Sequence, residues 1–203
     1  MIGALTAGFT RVLGVLGRVS MYRLVMLSLA ALAVISFVLS LLGQIGPQPL
    51  DLLATALVLA MVCMLVDLAA QSVLRLNRRM ESSFITAGIL LFVLFPTLDP
   101  AGLAGIALAG AAASLSKYVL AWRGRHIFNP AAVGAAVLTL VSIAVPTLGA
   151  SAWWVGTPAL AAPVIVLGIA VLWRTEKLRM VVAFWIIAIA VACLRVGVTF
   201  GFE

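Results

Sequence analysis

The residues of this chain that could do chemistry stand at the edges of long apolar runs. The densest group is Arg123-Gly124-Arg125-His126-Ile127-Phe128-Asn129-Pro130-Ala131. A proline fits the first turn of a helix, and an asparagine before it can accept from free backbone N–H groups, so this stretch predicts a helix start. Between two arginines, such a start also attracts an anion, because unpaired N–H groups and the helix dipole both favour negative charge. The same residues equally describe a capped helix that binds nothing. His126 is the only histidine in the chain, which gives little ground for a metal site or a general base.

A second group, Glu81-Ser82-Ser83-Phe84-Ile85-Thr86-Ala87-Gly88, opens another apolar run. Ser82 or Ser83 would cap it, while Thr86 and Gly88 would present a hydroxyl and a bare backbone inside it. Two such helix starts at one membrane face would suit a ligand with carbonyl or phosphate oxygens. Asp67 stands alone within a third run. A carboxylate there is costly unless paired or hydrated, and it could belong to an ion path, with Gln71 one turn away as the bland way of satisfying it. Arg195 could reach the surface from the last run and touch a phosphate or a quinone. Cys63 and Cys193 lie apart in different apolar segments, without CxxC spacing, and read as structural thiols. No catalytic or metal-ligating set emerges.

The elements that must position these residues follow from composition. Of 203 residues 65% are hydrophobic and 9% charged, and the mean hydropathy is +1.28. A soluble globule of this composition would lack the polar surface to cover itself, so lipid must be the solvent. A hydrocarbon core of about 30 Å takes about 20 helical residues. By that measure apolar segments fall at 21–43, 50–74, 101–121, 129–146, 157–173 and 178–200. A seventh, 83–96, is shorter and is closed by Pro96 and Asp99-Pro100, which predicts a half-helix or re-entrant element of the kind that lines a site. The fold class is therefore all-α: a polytopic transmembrane bundle of about seven segments, residues 1–20 forming a cytoplasmic N-terminal segment and 21–203 a single membrane domain. Residues 1–18 show no cleavage site, so the first long run reads as an uncleaved signal anchor. The small-residue run from Ala101 to Ser114 predicts close helix packing.

The net charge of +7 would suggest nucleic acid in a soluble protein. Here its distribution reads as orientation instead, and no nucleic-acid partner is expected. Arg11, Arg18 and Arg23 precede the first segment; Arg75, Arg78 and Arg79 follow the second; Lys117, Arg123 and Arg125 end the fourth; Arg174, Lys177 and Arg179 follow the sixth. The connections 44–49, 97–100 and 147–156 contain no Lys or Arg. Alternation of this kind predicts a multi-pass protein of the inner (plasma) membrane with a cytoplasmic N-terminus and an external C-terminus.

Ser83-x-x-Thr86-x-Gly88-x-Leu90 ending at Pro96, then a Gly/Ala-rich helix ending at Ser116-Lys117, then Gly124-Arg125-His126-Ile127-Phe128-Asn129-Pro130-Ala131 resembles the NqrB/RnfD family over roughly residues 82–135. Its members are membrane subunits of the sodium-pumping NADH:quinone oxidoreductase and of the Rnf ferredoxin:NAD oxidoreductase. The resemblance implies a helical fold that holds flavin (FMN or riboflavin) and passes electrons, often coupled to ion movement. It implies a flavin contact for Ser83, Thr86, Gly88, Arg125, His126 and Asn129. Family members also attach FMN to a threonine through a phosphodiester bond on the external side. The matching place here is Trp153-Trp154-Val155-Gly156-Thr157-Pro158, with Thr157 as the attachment point; Gly156 stands where the family has Ala, and the upstream acid is absent.

Complete relatives continue for several more helices, so the resemblance implies either a shortened relative or the membrane portion of something longer, joined to a reductase domain or to other subunits. The chain has no GxGxxG strand–helix unit for NAD and no cysteine set for an iron–sulfur cluster, so electrons would come from a partner and pass on, with quinone a further contact. The competing expectation is a small-solute channel or transporter with discontinuous helices.

Overall fold

The computed structural model describes residues 20–77, 80–122, 125–149, 151–152 and 154–200. Arg11, Arg18, Arg78, Arg79, Arg123 and Trp153, and the segment expected to lie in the cytoplasm up to residue 19, are outside the described residues, as are the side chains of Arg125 and Arg195.

Seven α-helices run through the described residues: α1 Met21–Leu41, α2 Pro49–Val73, α3 Met80–Val93, α4 Pro100–Val119, α5 Pro130–Ala144, α6 Pro158–Thr175 and α7 Leu178–Phe200. Each apolar segment expected from the sequence is one of these helices. α1, α2, α4 and α6 are long and apolar enough to cross a membrane, while α3, α5 and the described part of α7 are shorter apolar helices. This is an all-α membrane protein. The exception is a two-residue pairing of β1, Ala121–Trp122, with β2, Arg125–His126, in the connection between α4 and α5.

The described residues group into two compact units, one over Tyr22–Ile165 and the other from Val166 onward. In the first, α4 is the central helix and packs on α2, α3 and α5. Its buried face is Gly102, Gly105, Ile106, Ala109, Gly110, Ala113, Ser114 and Ser116, so backbones meet almost directly. A Cβ built on Gly134 of α5 would collide with the Ala109 carbonyl oxygen and lie 2.9 Å from Ala113 Cβ. That is the small-residue packing expected of helices in lipid, where no hydrophobic drive separates helix from solvent and close van der Waals contact holds the bundle.

Polarity is inverted relative to a soluble bundle. The buried face of α2 is Leu52, Thr55, Leu59, Cys63, Asp67 and Gln71, whereas Leu53, Leu57, Met61 and Leu65 point outward. Lipid takes the apolar face, and the polar groups find partners inside.

Contacts fix which ends lie together. Arg23 of α1 meets Glu81 of α3 at 3.1 Å, and Asp67 of α2 meets Lys117 of α4, so the start of α1, the end of α2, the start of α3 and the end of α4 share one end of the unit, called here the basic end. At the opposite end Ser40 donates to the Pro47 carbonyl at 2.6 Å. There too the Thr97 N–H donates to Thr55 Oγ1 at 3.1 Å, and Asp99 caps α4 by accepting from the Gly102 N–H.

α3 has 14 residues, about 21 Å of helix at about 1.5 Å per residue, too short for a hydrocarbon core of about 30 Å. It starts at Met80 rather than after a Ser82 or Ser83 cap, so both serines lie inside its first turn. α5 is also short, at 15 residues, where a longer crossing over 129–146 was expected. Pro146 stops it: the residue before a proline is pushed out of the helical region, and Val145 has φ −131 and ψ 79.

The chain after α5 fills the depth these two helices leave. A 3₁₀ turn, Pro146–Leu148, brings the Leu148 carbonyl against Gly105, where a Cβ would collide with it, and Ser142 Oγ donates to the Gly149 carbonyl. Leu94 bridges Ser151, the Ala152 N–H donates to the Val93 carbonyl at 3.0 Å, and Trp154 Nε1 donates to the Leu91 and Leu94 carbonyls at 3.0 and 3.1 Å. The last carbonyls of a helix have no partner within it, and in lipid they cannot borrow water. The returning segment supplies the donors.

The second unit holds the later part of α6 and α7, with Glu176, at φ 55, in the short connection between them. No described side chain of α7 is buried, and Cys193 is exposed.

Candidate functional site

Between α2, α3 and α4, at the basic end, lies a buried polar cluster. Asp67 is 1% exposed. Lys117 Nζ donates to its Oδ2 at 2.7 Å, Ser83 Oγ to the same oxygen at 2.5 Å, and Tyr118 OH to Oδ1 at 3.2 Å. Gln71 Nε2 donates to the Tyr118 hydroxyl at 3.1 Å. Lys117 Nζ also reaches the Ser82 carbonyl at 3.3 Å. The side chains of the pair are 7% and 2% exposed for Lys117 and Asp67.

Sequence and fold together explain each position. Asp67 and Gln71 are one turn apart on the inner face of α2, where the period of 3.6 stacks them. Ser83 lies within the first turns of α3, and because no cap holds its hydroxyl, it points across to α2. Lys117 and Tyr118 are in the last turn of α4, close enough to the helix end for a long stem to reach inward. Both charges are desolvated, a state that costs several kcal/mol per ion and persists only with good geometry and further hydrogen bonds. Ser83 and Tyr118 on Asp67, and the Ser82 carbonyl on Lys117, supply those further bonds here. The cluster is the most polar interior of the unit and joins three elements at one point, so it can hold, release or exchange a positive charge.

The expectation for Asp67 is refined by this. Its partner is Lys117, with Gln71 acting through Tyr118, and Lys117, read from the sequence as an orienting charge, is an interior one. The available signal was position: Lys117 lies within the apolar run, unlike Arg123 and Arg125 in the connection after it.

The other expected site residues separate into groups. Thr86, buried, donates to the Ser82 carbonyl in its own helix at 2.9 Å. Gly88 faces α1, where a Cβ would lie 3.2 Å from Leu29. Asn129 caps α5, its Oδ1 accepting from the Ala131 N–H at 3.1 Å. His126 is exposed and pairs with Ala121 through β2, whose other residue is Arg125. Thr157 stands at the opposite end, before α6. Its N–H donates to the Val155 carbonyl at 2.8 Å, and its Oγ1 is out of solvent with no hydrogen-bond partner among the described residues.

The fit to a flavin therefore differs by position. Ser83 and Thr86 donate their hydroxyl protons within the protein and Asn129 Oδ1 accepts there, so each has one of its hydrogen-bonding groups already engaged. Thr157 keeps an unpartnered hydroxyl that is itself out of solvent, in a stretch whose neighbours Trp154, Val155 and Leu160 are also buried.

No protein-family model, curated protein or solved structure matches this chain.

Proposed function

We propose that this protein is the membrane subunit, or membrane domain, of a flavin-dependent electron-transport complex in which ion movement accompanies electron transfer. The observation that carries the reading is the buried Asp67–Lys117 pair beside the start of the short helix α3; Lys117 and Ser83 lie in the stretch whose motifs resemble the NqrB/RnfD family, and Asp67 stands before it on α2. That stretch runs through α3, α4 and the start of α5, helices that pack on one another. An ion pair buried in a lipid-facing bundle is costly, and in membrane proteins such residues mark ion or proton pathways.

On this reading Thr157 is the residue that would hold FMN, through its unpartnered hydroxyl, and a bound flavin would supply the one-electron chemistry that side chains lack. The protein contributes position, exclusion of water and the charge balance at Asp67. Electrons reach it from another subunit or a fused reductase domain, with quinone as a candidate acceptor. The basic end faces the cytoplasm of the inner membrane, which puts the N-terminus inside and Thr157 outside, where a flavin transferase acts.

The absorbance spectrum of the purified protein, before and after acid precipitation, tests this. A flavin band is expected; a colourless protein purified from cells that make flavin cofactors would refute it. The shortness of α3 and α5, with irregular backbone covering their ends, favours a second reading, a small-solute transporter with discontinuous helices. Solute uptake into liposomes by colourless protein would establish that reading instead.

A further inference from the structure

We propose that the Asp67–Lys117 cluster is a proton-binding site in which the Lys117 ammonium competes with a proton for the Asp67 carboxylate; this rests on reading the bundle as part of an ion-moving complex. The sources are charge, depth and reach. In a dry site the summed charge must stay near zero, because one unbalanced charge costs several kcal/mol. The ion pair meets that requirement with Lys117 in place at 2.7 Å.

Lys117 lies in the last turn of α4, two residues before its end at Val119, and a lysine stem can carry its ammonium outward to the interface. Asp67 has no such freedom: it is further from its helix end and its side chain is short. When the ammonium leaves, the neutral state open to the site is the protonated acid. The exchange balances as one proton taken up, one O–H bond formed on Asp67, and one ammonium moved from the site to the interface with its protons unchanged. Its return expels the proton.

The neighbours fit a proton better than a metal ion. Beyond Asp67, the oxygens at the site are Ser83 Oγ, Tyr118 OH and the Ser82 carbonyl, and the last already accepts from Thr86. Hard cations take six or more oxygens. Hydroxyls that both donate and accept can instead follow the change on Asp67, and Gln71–Tyr118–Asp67–Ser83 is a continuous hydrogen-bonded path. The charged and titratable groups around it are Lys117 and Tyr118 from α4, and Cys63 one turn before Asp67 on α2. From α3 there is Glu81, engaged with Arg23 of α1 at 3.1 Å.

Infrared difference spectra of the full chain in lipid nanodiscs, recorded on lowering the pH from neutral, test the proposal. The expected result is a protonated-carboxyl band that is lost in Asp67→Asn, is already present at neutral pH in Lys117→Met, and is unaffected by added sodium. A band that persists unchanged in Asp67→Asn overturns the proposal, as does suppression of the Asp67 band by sodium at constant pH, which would make the site a metal-cation site. Ser83→Ala keeps the ion pair and removes the 2.5 Å donor. The carboxyl band should therefore shift in frequency, and an unshifted band also overturns the proposal, even should Asp67→Asn fail to fold. The band is read with or without flavin. A colourless protein with an intact Asp67 band defeats the electron-transport reading alone, and a flavin-bearing protein without that band defeats this inference alone.

Discussion

Replacing Lys117 by methionine removes the ammonium while keeping an unbranched side chain of similar length, so it isolates the charge. What remains is Asp67, its side chain 2% exposed, held by Ser83 and Tyr118. Removing one member of a buried ion pair costs about 3–5 kcal/mol, whereas a side-chain hydrogen bond within a membrane bundle averages about 0.6 and reaches about 1.7 kcal/mol. Lys117→Met should therefore lose about 3–5 kcal/mol, and Ser83→Ala about 1 kcal/mol on the same membrane scale. Asp67→Asn should cost less than Lys117→Met, since the stranded ammonium can extend to the interface. Adding Asp67→Asn to Lys117→Met should recover much of the loss, with a coupling energy of about 2–3 kcal/mol. Reversible unfolding in mixed micelles, followed by tryptophan fluorescence, gives all four values. A loss below about 1 kcal/mol for Lys117→Met, or strict additivity in the double variant, would refute the view of the pair as desolvated and coupled.

Gly134→Ala should destabilise by about 1–3 kcal/mol or more, because the new methyl meets the Ala109 carbonyl rather than a movable side chain; Gly46→Ala, with nothing within 4 Å, is the control in the same unfolding assay. Trp154→Phe keeps an aromatic ring beside Phe92 but strips the Leu91 and Leu94 carbonyls of their donor. It should cost about 1–3 kcal/mol and speed amide exchange at the end of α3, measured by mass spectrometry. Cysteines placed at Arg125 and Gly149 should be labelled from opposite sides of the membrane by an impermeant thiol reagent; labelling from one side would refute the alternation of ends. Protein produced together with a flavin transferase should gain the mass of FMN less water, read by intact-mass spectrometry, and Thr157→Ala should not; an adduct that survives in Thr157→Ala would move the attachment elsewhere.

The helices were legible because membrane solvent imposes a simple rule: runs of apolar residues of a given length, closed by prolines and charges, can do little but form helices. Pro49, Pro100, Pro130 and Pro158 each stand at a helix start, and the shortness of α3 was visible in its distance to Pro96. The alternation of charges also anticipated which helix ends lie together. The sequence by itself could not say that Lys117 is an interior charge, because the same residue at the end of an apolar run serves equally as a topology signal. Only packing decides it: Gly110 and Ser114 let α4 approach α2 closely enough for a lysine stem to reach Asp67. Nor could it say that Trp154 completes α3, since that contact joins residues 60 positions apart and depends on a segment with no regular pattern of its own. Apolar length and charge placement are local properties, and so were written in the chain. Partners for buried polar groups are a property of the whole bundle, because each must be found wherever another helix happens to bring a donor within reach.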